Sequence, residues 1–269
     1  MSLDILLLSK NNEKYFKYVF PNLLQELDTF DYNFYIYENN SSDATKTILL
    51  DLQKKNSKIH IYSEVSVNYF NRYLNITLAR NRLVELYLTS NISHHPVIWL
   101  DTNIIFSKKS IDVLLESYHK HPEGKMFSAF TCHDINLNYY YDILAYNYGK
   151  YFRTSMSPVL SFDKILLESQ DNIDKKLASV DTAFGGLVIM SREILVKFKW
   201  KFKKPIEVKN LNIGRNIICE HWYFCQLIKT CGKIYIVKDA NAFWFGDSVF
   251  QDINKFEELK LYLINSLKN

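Results

Sequence analysis

An acidic residue interrupts the apolar run of residues 97–106, where Asp101, Thr102 and Asn103 stand between hydrophobic residues on both sides. A carboxylate at the end of a buried strand is costly unless something binds it. The groups that bind it in such a place are a cation, a ribose hydroxyl, or a phosphate held through a metal. The segment therefore predicts a nucleotide or metal site.

Asp101 and Asn103 are alternate residues, and in an extended chain alternate side chains point the same way. Both can then face one hard cation or one diphosphate. Two carboxylates are the simpler ligand pair for Mg²⁺ or Mn²⁺, whereas an amide is a weaker oxygen ligand without charge. We therefore expect a divalent cation, Mn²⁺ or Mg²⁺, that is held loosely, held through water, or dispensable.

Hydrophobic periodicity alternates between strand and helix four times in the first hundred residues. The strands are predicted at 3–9, 33–37, 59–63 and 96–100, and the helices at 12–27, 44–54 and 75–90. Ser42 or Asp43 is the expected N-cap of the second helix. The alternation predicts an α/β fold with a parallel or mostly parallel sheet and helices on both faces.

Polar side chains stand at the ends of three of these strands, namely Ser9, Glu38 and Asp101. Ligands of such sheets bind beyond the carboxyl ends of the strands, so the three residues are candidate ligand contacts. Arg80 lies between apolar positions of the third helix, so its charge is expected to be partly buried. A partly buried arginine needs a carboxylate or a phosphate, which leaves a structural ion pair and a ligand contact both open.

The second half of the chain carries the candidate reacting groups. Glu220 and His221 open a predicted helix over 220–230, which follows a glycine-led strand over 184–190. Glu220 suits the positive end of the helix dipole, and it is either a base or a cap. His221 is a base, a metal ligand or a polar core residue, and a base must reach the acceptor hydroxyl within hydrogen-bond distance.

The remaining pattern is looser and predicts one domain without internal repeats. Helices are expected at 110–119, 191–197 and 252–267, strands at 125–131 and 233–237, an aromatic-rich stretch at 136–150, and a loop with a short helix at 155–176. We divide the domain into a nucleotide-binding half (1–106), an acceptor and catalytic half (107–250) and a C-terminal helix (251–269).

The charge balance of the 269-residue chain, 33 basic against 29 acidic residues, gives a net charge of +4. This balance is unlike that of a protein that binds nucleic acid by counterion release. A basic run alternates with aromatic residues, which predicts a half-exposed strand whose role is a solvated face or peripheral membrane contact. Its lysines are Lys197, Lys199, Lys201, Lys203 and Lys204.

The chain has no run of about twenty apolar residues and no leader-like segment before the first strand, so we expect no transmembrane helix. Of the 4 cysteines, Cys219, Cys225 and Cys231 together with His221 fit no common zinc spacing, and reduced thiols are expected. A cytoplasmic or membrane-peripheral location follows.

Taken in order, these residues resemble the nucleotide-sugar glycosyltransferases of the GT-A fold. Residues 38–45 resemble the family-2 turn in which acids and Ser-x-Asp-Gly-Thr follow the second strand. Ala79-Arg80-Asn81 is similar to that family's Ala-Arg-Asn step, and Asp101-Thr102-Asn103 falls where its Asp-x-Asp motif belongs. Glu220-His221 falls where its Glu-Asp pair opens a helix that Gly232 closes.

The later part of the chain also resembles the cryptococcal capsule-associated mannosyltransferase relatives. The likeness is carried by Tyr140-Tyr141-Asp142, Phe184-Gly185-Gly186 and Cys219-Glu220-His221.

The resemblance implies a role for each site residue. Ser9, Glu38 and Arg80 would contact the nucleoside and diphosphate, and Asp101 and Asn103 would bind ribose, metal and diphosphate. Asp142, Gly185 and Gly186 would line the sugar or acceptor pocket. Glu220 or His221 would be the catalytic base. Asn103 replaces the metal-binding acid and His221 the usual catalytic aspartate, so metal dependence and stereochemistry stay open.

The implied activity is transfer of a sugar from a nucleoside diphosphate donor, UDP preferred and GDP open, to a glycan or other hydroxyl acceptor with inversion. A nucleotidyltransferase is one alternative, but it needs a glycine-rich loop after the first strand, and residues 9–12 contain no glycine. The other is a non-catalytic sugar- or nucleotide-binding module, with which Asn103 and His221 are compatible.

Overall fold

The computed structural model describes residues 2–65, 69, 71–91, 94–134, 137–140, 147–148, 151–152, 161–169, 175–201, 220–245 and 261. The strands in these ranges are β1 (Ser2–Ser9), β2 (Asp31–Asn39), β3 (Ile59–Glu64), β4 (Val97–Leu100), β5 (Ile104–Phe106), β6 (Gly124–Asp134), β7 (Leu137–Tyr140), β8 (Asn147–Tyr148), β9 (Tyr151–Phe152), β10 (Leu177–Val180), β11 (Leu187–Met190) and β12 (Lys233–Trp244). The helices are α1 (Glu13–Tyr18), α2 (Phe20–Glu26), α3 (Thr45–Lys55), α4 (Arg72–Ser90), α5 (Lys108–Lys120), α6 (Phe162–Glu168), α7 (Arg192–Lys197) and α8 (Glu220–Lys229).

One large mixed sheet organises the described part of the chain, in the strand order β10-β12-β6-β11-β4-β1-β2-β3. The predicted parallel arrangement of the first four strands is confirmed, because β1 pairs in parallel with β2 and β4, and β2 with β3. Strand β11 runs antiparallel between β4 and β6, and β12 runs parallel to β6. All strands of this path except β10 and β11 therefore share one direction, and the sheet is mostly parallel.

Helices cover both faces of this sheet, as the alternation predicted. Alternate residues of β1 enter different cores, with Ile5 and Leu7 on one face of the sheet and Leu6 on the other. The first core also receives apolar residues of α1, α2, α3 and α5. The second receives those of α4, α6, α7 and α8. No helix of the described residues is long and apolar enough to span a bilayer.

Two local predictions for the first loops are wrong. The helix expected over 12–27 is two helices, which meet at Val19, and Pro21 lies in the first turn of α2, where its missing N–H does no harm. The N-cap of α3 is Ala44 rather than Ser42 or Asp43. Asp43 instead accepts a hydrogen bond from the Thr45 N–H at 3.0 Å, one step short of the capping position.

The alternating lysine and aromatic run is not a strand where the structure describes it. Helix α7 ends at Lys197, and residues 198–201 are irregular. Trp200 is fully buried, so the alternation reflects one anchored side chain between exposed lysines. The predicted C-terminal helix, apart from residue 261, and residues 202–219 lie outside the described residues.

Strand register brings the polar strand ends to one edge of the sheet. Ser9 lies opposite Glu38 across β1 and β2, and Leu7 lies opposite Leu100 across β1 and β4. Asp101 follows Leu100 directly, so all three polar residues stand at the carboxyl edge where ligands of such sheets bind.

Candidate functional site

The guanidinium of Arg80 is the centre of a buried cluster that joins both halves of the chain. Its Nη1 lies 3.2 Å from the Glu220 carboxylate and 2.7 Å from Nδ1 of His221. Its Nη2 lies 3.7 Å from the Asp101 carboxylate. The Arg80 side chain is only 4% exposed, and a charge buried to this extent requires a partner. Carboxylates of the protein itself supply that partner.

Aromatic rings enclose this guanidinium. The Arg80 Cζ lies 4.9 Å from the ring centroid of Phe184, 5.5 Å from Trp99 and 5.8 Å from Trp200. The His221 ring stacks on Phe184 with centroids 3.7 Å apart. Because a buried cation is attracted to aromatic faces, the cage fixes Arg80 without adding charge.

One guanidinium lies between two carboxyl groups in this cluster, and this excess of acidic groups contributes to the shifted pKa of Asp101. Burial raises the pKa of Asp101 to about 6, and the Glu220 charge adds to the rise, while Arg80 and Arg72 oppose it. Burial, together with the nearby Arg80, holds the pKa of His221 well below its usual range. His221 is therefore a neutral acceptor for the arginine, and additional positive charge beside Asp101 would be favourable.

The Asp101-Thr102-Asn103 step is a turn and not extended chain. The Ile104 N–H donates to the Asp101 carbonyl at 3.2 Å, and the Phe245 N–H donates to the Asn103 carbonyl at 3.0 Å. The extended geometry from which a shared side of Asp101 and Asn103 was inferred is therefore wrong, and their joint contact with one cation stays a prediction. The turn nevertheless directs the Asp101 carboxylate to Arg80.

Gly186 supports this turn from the two-residue turn that precedes β11, and Gly185 precedes it in the chain. Both have a positive φ, of 58° and 69°, which favours glycine. The Gly186 carbonyl accepts from the Asp101 N–H at 2.8 Å, and a Cβ on Gly186 would lie 2.5 Å from the Ile104 side chain. The sequence resemblance implies that the two glycines let a sugar or acceptor approach the backbone closely. In the structure, the atoms that a Cβ at either position would meet belong to the protein itself.

Glu38 and Ser9 are buried at the same edge and hold loops. Glu38 accepts hydrogen bonds from the Ser41 N–H at 2.8 Å and from the Ser63 hydroxyl at 2.6 Å. The Ser9 hydroxyl accepts from the Asn12 side-chain amide at 3.5 Å. Both residues thus fasten loops at the carboxyl edge of the sheet.

Asn12 is a site residue that the sequence analysis missed. Its N–H donates to the Thr45 hydroxyl at 2.7 Å, and its side-chain oxygen accepts from the Thr102 hydroxyl at 3.2 Å. It therefore links the loops after β1 and β2 to the turn after β4. The sequence signal for this loop was the asparagine pair at 11–12, which begins two residues after the end of β1. Asparagine tolerates a positive φ, and Asn11 has a φ of 55°.

Two groups of the expected site are not described. Asp142 is outside the described residues, as is Cys219. Within the described ranges no group of three histidine, cysteine or acidic side chains is placed to hold a metal by itself. A cation beside Asp101 would accordingly take other ligands from water or from a bound phosphate.

No protein-family model matches this chain. No curated protein matches it by sequence. The likeness to capsule-associated mannosyltransferases accordingly remains a sequence-based prediction.

Solved structures match the fold across nine-tenths of the chain. The mannosyltransferase PcManGT from Pyrobaculum calidifontis, in complex with GDP-Man and Mn²⁺, is 9% identical with a TM-score of 0.54, covering 90% of this chain and 56% of that one. GalNAc-T7 with UDP, GalNAc and Mn²⁺ is 9% identical with a TM-score of 0.60, covering 90% and 43%. S. aureus TarS is 12% identical with a TM-score of 0.54, covering 91% and 37%.

These neighbours are GT-A glycosyltransferases, and the described chain has the GT-A fold with its mixed, mostly parallel sheet. The chain spans between 37% and 56% of the length of these three structures. At this low identity the likeness establishes the fold, and activity is argued from the site.

The raised pKa of Asp101 predicts that Asp101→Asn stabilises the ligand-free protein above pH 6. A carboxyl whose folded pKa exceeds its unfolded value contributes stability below the unfolded pKa and loses it as pH rises through the folded value. At pH 7.5 with EDTA, the variant should gain about 1–2 kcal/mol, a figure reduced for partial solvent screening of the carboxylate. Urea unfolding at pH 4.5 and 7.5 measures the gain, which should fall to about a third at pH 4.5, where the folded carboxyl is protonated but the unfolded one is still largely ionised. Equal destabilisation at both pH values would contradict this charge balance.

Gly186→Ala should destabilise the protein, because Gly186 combines a positive φ with a contact too close for a Cβ. Strain of this kind costs about 1–3 kcal/mol, with steric overlap adding to it. Urea unfolding at pH 7.5 measures the loss. An unchanged midpoint would show that the Asp101 turn does not depend on this glycine.

Proposed function

We propose that this protein is a glycosyltransferase that moves a sugar from a nucleoside diphosphate donor to a hydroxyl acceptor. The observation that carries the proposal is the Arg80 cluster at the carboxyl edge of a GT-A sheet. It joins Asp101, which follows a parallel strand, to Glu220, which opens a helix from the other half of the chain. A donor-side acid and an acceptor-side acid are thus held by one cation.

Asp101 is the donor-side group of this proposal. Its side chain is 29% exposed, whereas those of Arg80 and Glu220 are at most 5% exposed, so a ligand reaches Asp101 first. Asp101 and Asn103 would contact ribose, diphosphate and a divalent cation, Mn²⁺ by preference. The raised pKa of Asp101 supports this fit, because a carboxylate with too little neighbouring positive charge favours a cation. When bound, the cation would neutralise the departing diphosphate.

The nucleotide that the donor carries, UDP or GDP, is also proposed. Among the neighbours, one structure contains GDP-Man and another contains UDP and GalNAc, both with Mn²⁺. We favour UDP by analogy with other proteins of this fold and keep GDP open. A thermal-shift panel of UDP- and GDP-sugars with and without Mn²⁺ identifies the donor through ligand-linked stabilisation.

Glu220 is the proposed catalytic base. His221 and Glu220 both contact Nη1 of Arg80. Burial, together with that cation, holds the pKa of His221 well below its usual range, so we assign His221 to positioning Arg80 and the remaining group, Glu220, to the acceptor. The acceptor hydroxyl would pass its proton to the Glu220 carboxylate while its oxygen bonds to the anomeric carbon. The bond from that carbon to the diphosphate oxygen breaks, which inverts the configuration.

Glu220→Gln should lower kcat/KM for sugar transfer by about 10²–10⁴-fold, the usual contribution of a general base. Donor affinity should stay within a few-fold, because the donor contacts lie at Asp101. Asp101→Asn should instead weaken binding of donor and Mn²⁺. Glu116→Gln and Asp112→Asn, which change exposed acids of α5, are the matched controls. Full turnover in both site variants would refute the assignment.

His221→Gln should retain activity within about tenfold of wild type, since glutamine offers Arg80 another neutral acceptor. His221→Leu removes that acceptor and should lose considerably more. If His221 were the base, both variants would be as inactive as Glu220→Gln. Product analysis by NMR reports the anomeric configuration in the same assay.

Donor binding without turnover across a panel of acceptors would point to the non-catalytic binding module. Pyrophosphate release from a nucleoside triphosphate and a sugar phosphate would point to a nucleotidyltransferase. Either result would replace the proposed activity.

A further inference from the structure

A basic segment, residues 196–201, lies at the surface where α7 ends. Lys197, Lys199 and Lys201 are exposed, and Val196 is 60% exposed. Phe198 is half-buried, with the Lys197 ammonium 5.2 Å from its ring centroid. The segment therefore combines separated positive charges with apolar side chains on the outside of the molecule.

Acidic residues are absent from positions 194–204, so the chain itself supplies no counter-charge within this run. The nearest acid before it is Glu193, on α7. The charge of Glu193 faces Tyr118 of α5, where it adds to the rise in the pKa of Tyr118 that burial causes. Within positions 194–204 the charged side chains are therefore all positive.

Trp200 holds this basic segment rigidly. Its backbone N–H donates to the side-chain oxygen of Asn81 at 2.9 Å, and the Asn81 side-chain amide donates to the Trp200 backbone carbonyl at 2.8 Å. The Trp200 ring stacks on Phe224 with centroids 3.7 Å apart and planes 8° from parallel. Lys199 and Lys201 flank this anchored residue, so their backbone positions are fixed before any partner arrives.

We propose that the basic segment docks the protein onto an anionic membrane surface. The lysines would contact acidic lipid headgroups, and Val196 and Phe198 would enter the interfacial region. Each lysine near such a surface strengthens binding about fivefold, and buried apolar side chains add to that. A preordered backbone lowers the entropy cost of docking.

Docking there would bring the membrane to the border of the candidate site. Asn81, which clamps Trp200, is the residue after Arg80, and the Trp200 ring lies 5.8 Å from the Arg80 Cζ. The membrane proposal does not depend on glycosyl transfer, because vesicle binding is measured without turnover.

Co-sedimentation with vesicles tests the proposal on the full chain. Wild type should bind phosphatidylcholine vesicles containing a quarter phosphatidylglycerol, and should bind pure phosphatidylcholine weakly. Changing Lys197, Lys199 and Lys201 together to glutamine should weaken partitioning about 100-fold. Half-molar NaCl should weaken wild-type binding similarly, because salt screens exposed charge.

The matched control changes three exposed lysines of α3, Lys46, Lys54 and Lys55, to glutamine and alters net charge equally. This control should bind nearly as wild type does, and thermal melts should show both triple variants folded. Val196→Ser should weaken binding without changing charge. Equal loss in both triple variants would indicate net charge alone and overturn the proposal, as would tighter binding to soluble polyphosphate than to vesicles.

Discussion

The buried guanidinium of Arg80 is the interaction on which the candidate site depends. One side chain of α4 meets the end of a parallel strand at Asp101 and the start of α8 at Glu220. Removing a buried cation from two carboxyl groups would leave uncompensated charge in a low-dielectric interior, so these elements are held together electrostatically. The neutral His221 takes one guanidinium nitrogen, and the aromatic cage excludes water from the rest.

This arrangement places an electrostatic imbalance where a nucleotide sugar would bind. Asp101 is the acid of the cluster that solvent still reaches, and its raised pKa reports burial beside Glu220 with only partial compensation by arginine. A divalent cation or a cationic transition state would relieve that imbalance. Glu220 is buried more deeply and opens α8. Under the proposed function, Asp101 contacts the donor and Glu220 the acceptor.

Sequence alone predicted the parallel half of the fold because its signals are local. Alternating strand and helix periods located β1 to β4 nearly in full, and because the carboxyl ends of parallel strands meet at one edge, Ser9, Glu38 and Asp101 were predicted to lie together there. The antiparallel insertion of β11 between β4 and β6 depends on distant contacts that no local pattern encodes. The need of Arg80 for an acid was predictable from its apolar neighbours, but the choice of Glu220, far along the chain, required the tertiary structure. Trp200 was not predicted because nothing in the local sequence distinguishes a buried anchor from its neighbours. Asn12 was not predicted because its asparagine pair indicates a turn after β1 but not the partners at Thr45 and Thr102.

The proposed donor site lies against Asp101, beside Glu220, at the carboxyl edge of the sheet. A crystal structure of the protein soaked with UDP or GDP and Mn²⁺ tests this site. We expect the diphosphate and the metal to lie against Asp101, with the Arg80–Glu220 ion pair intact beneath them. A nucleotide bound away from Asp101, or bound only after Arg80 has left Glu220 to contact the phosphates, would contradict it.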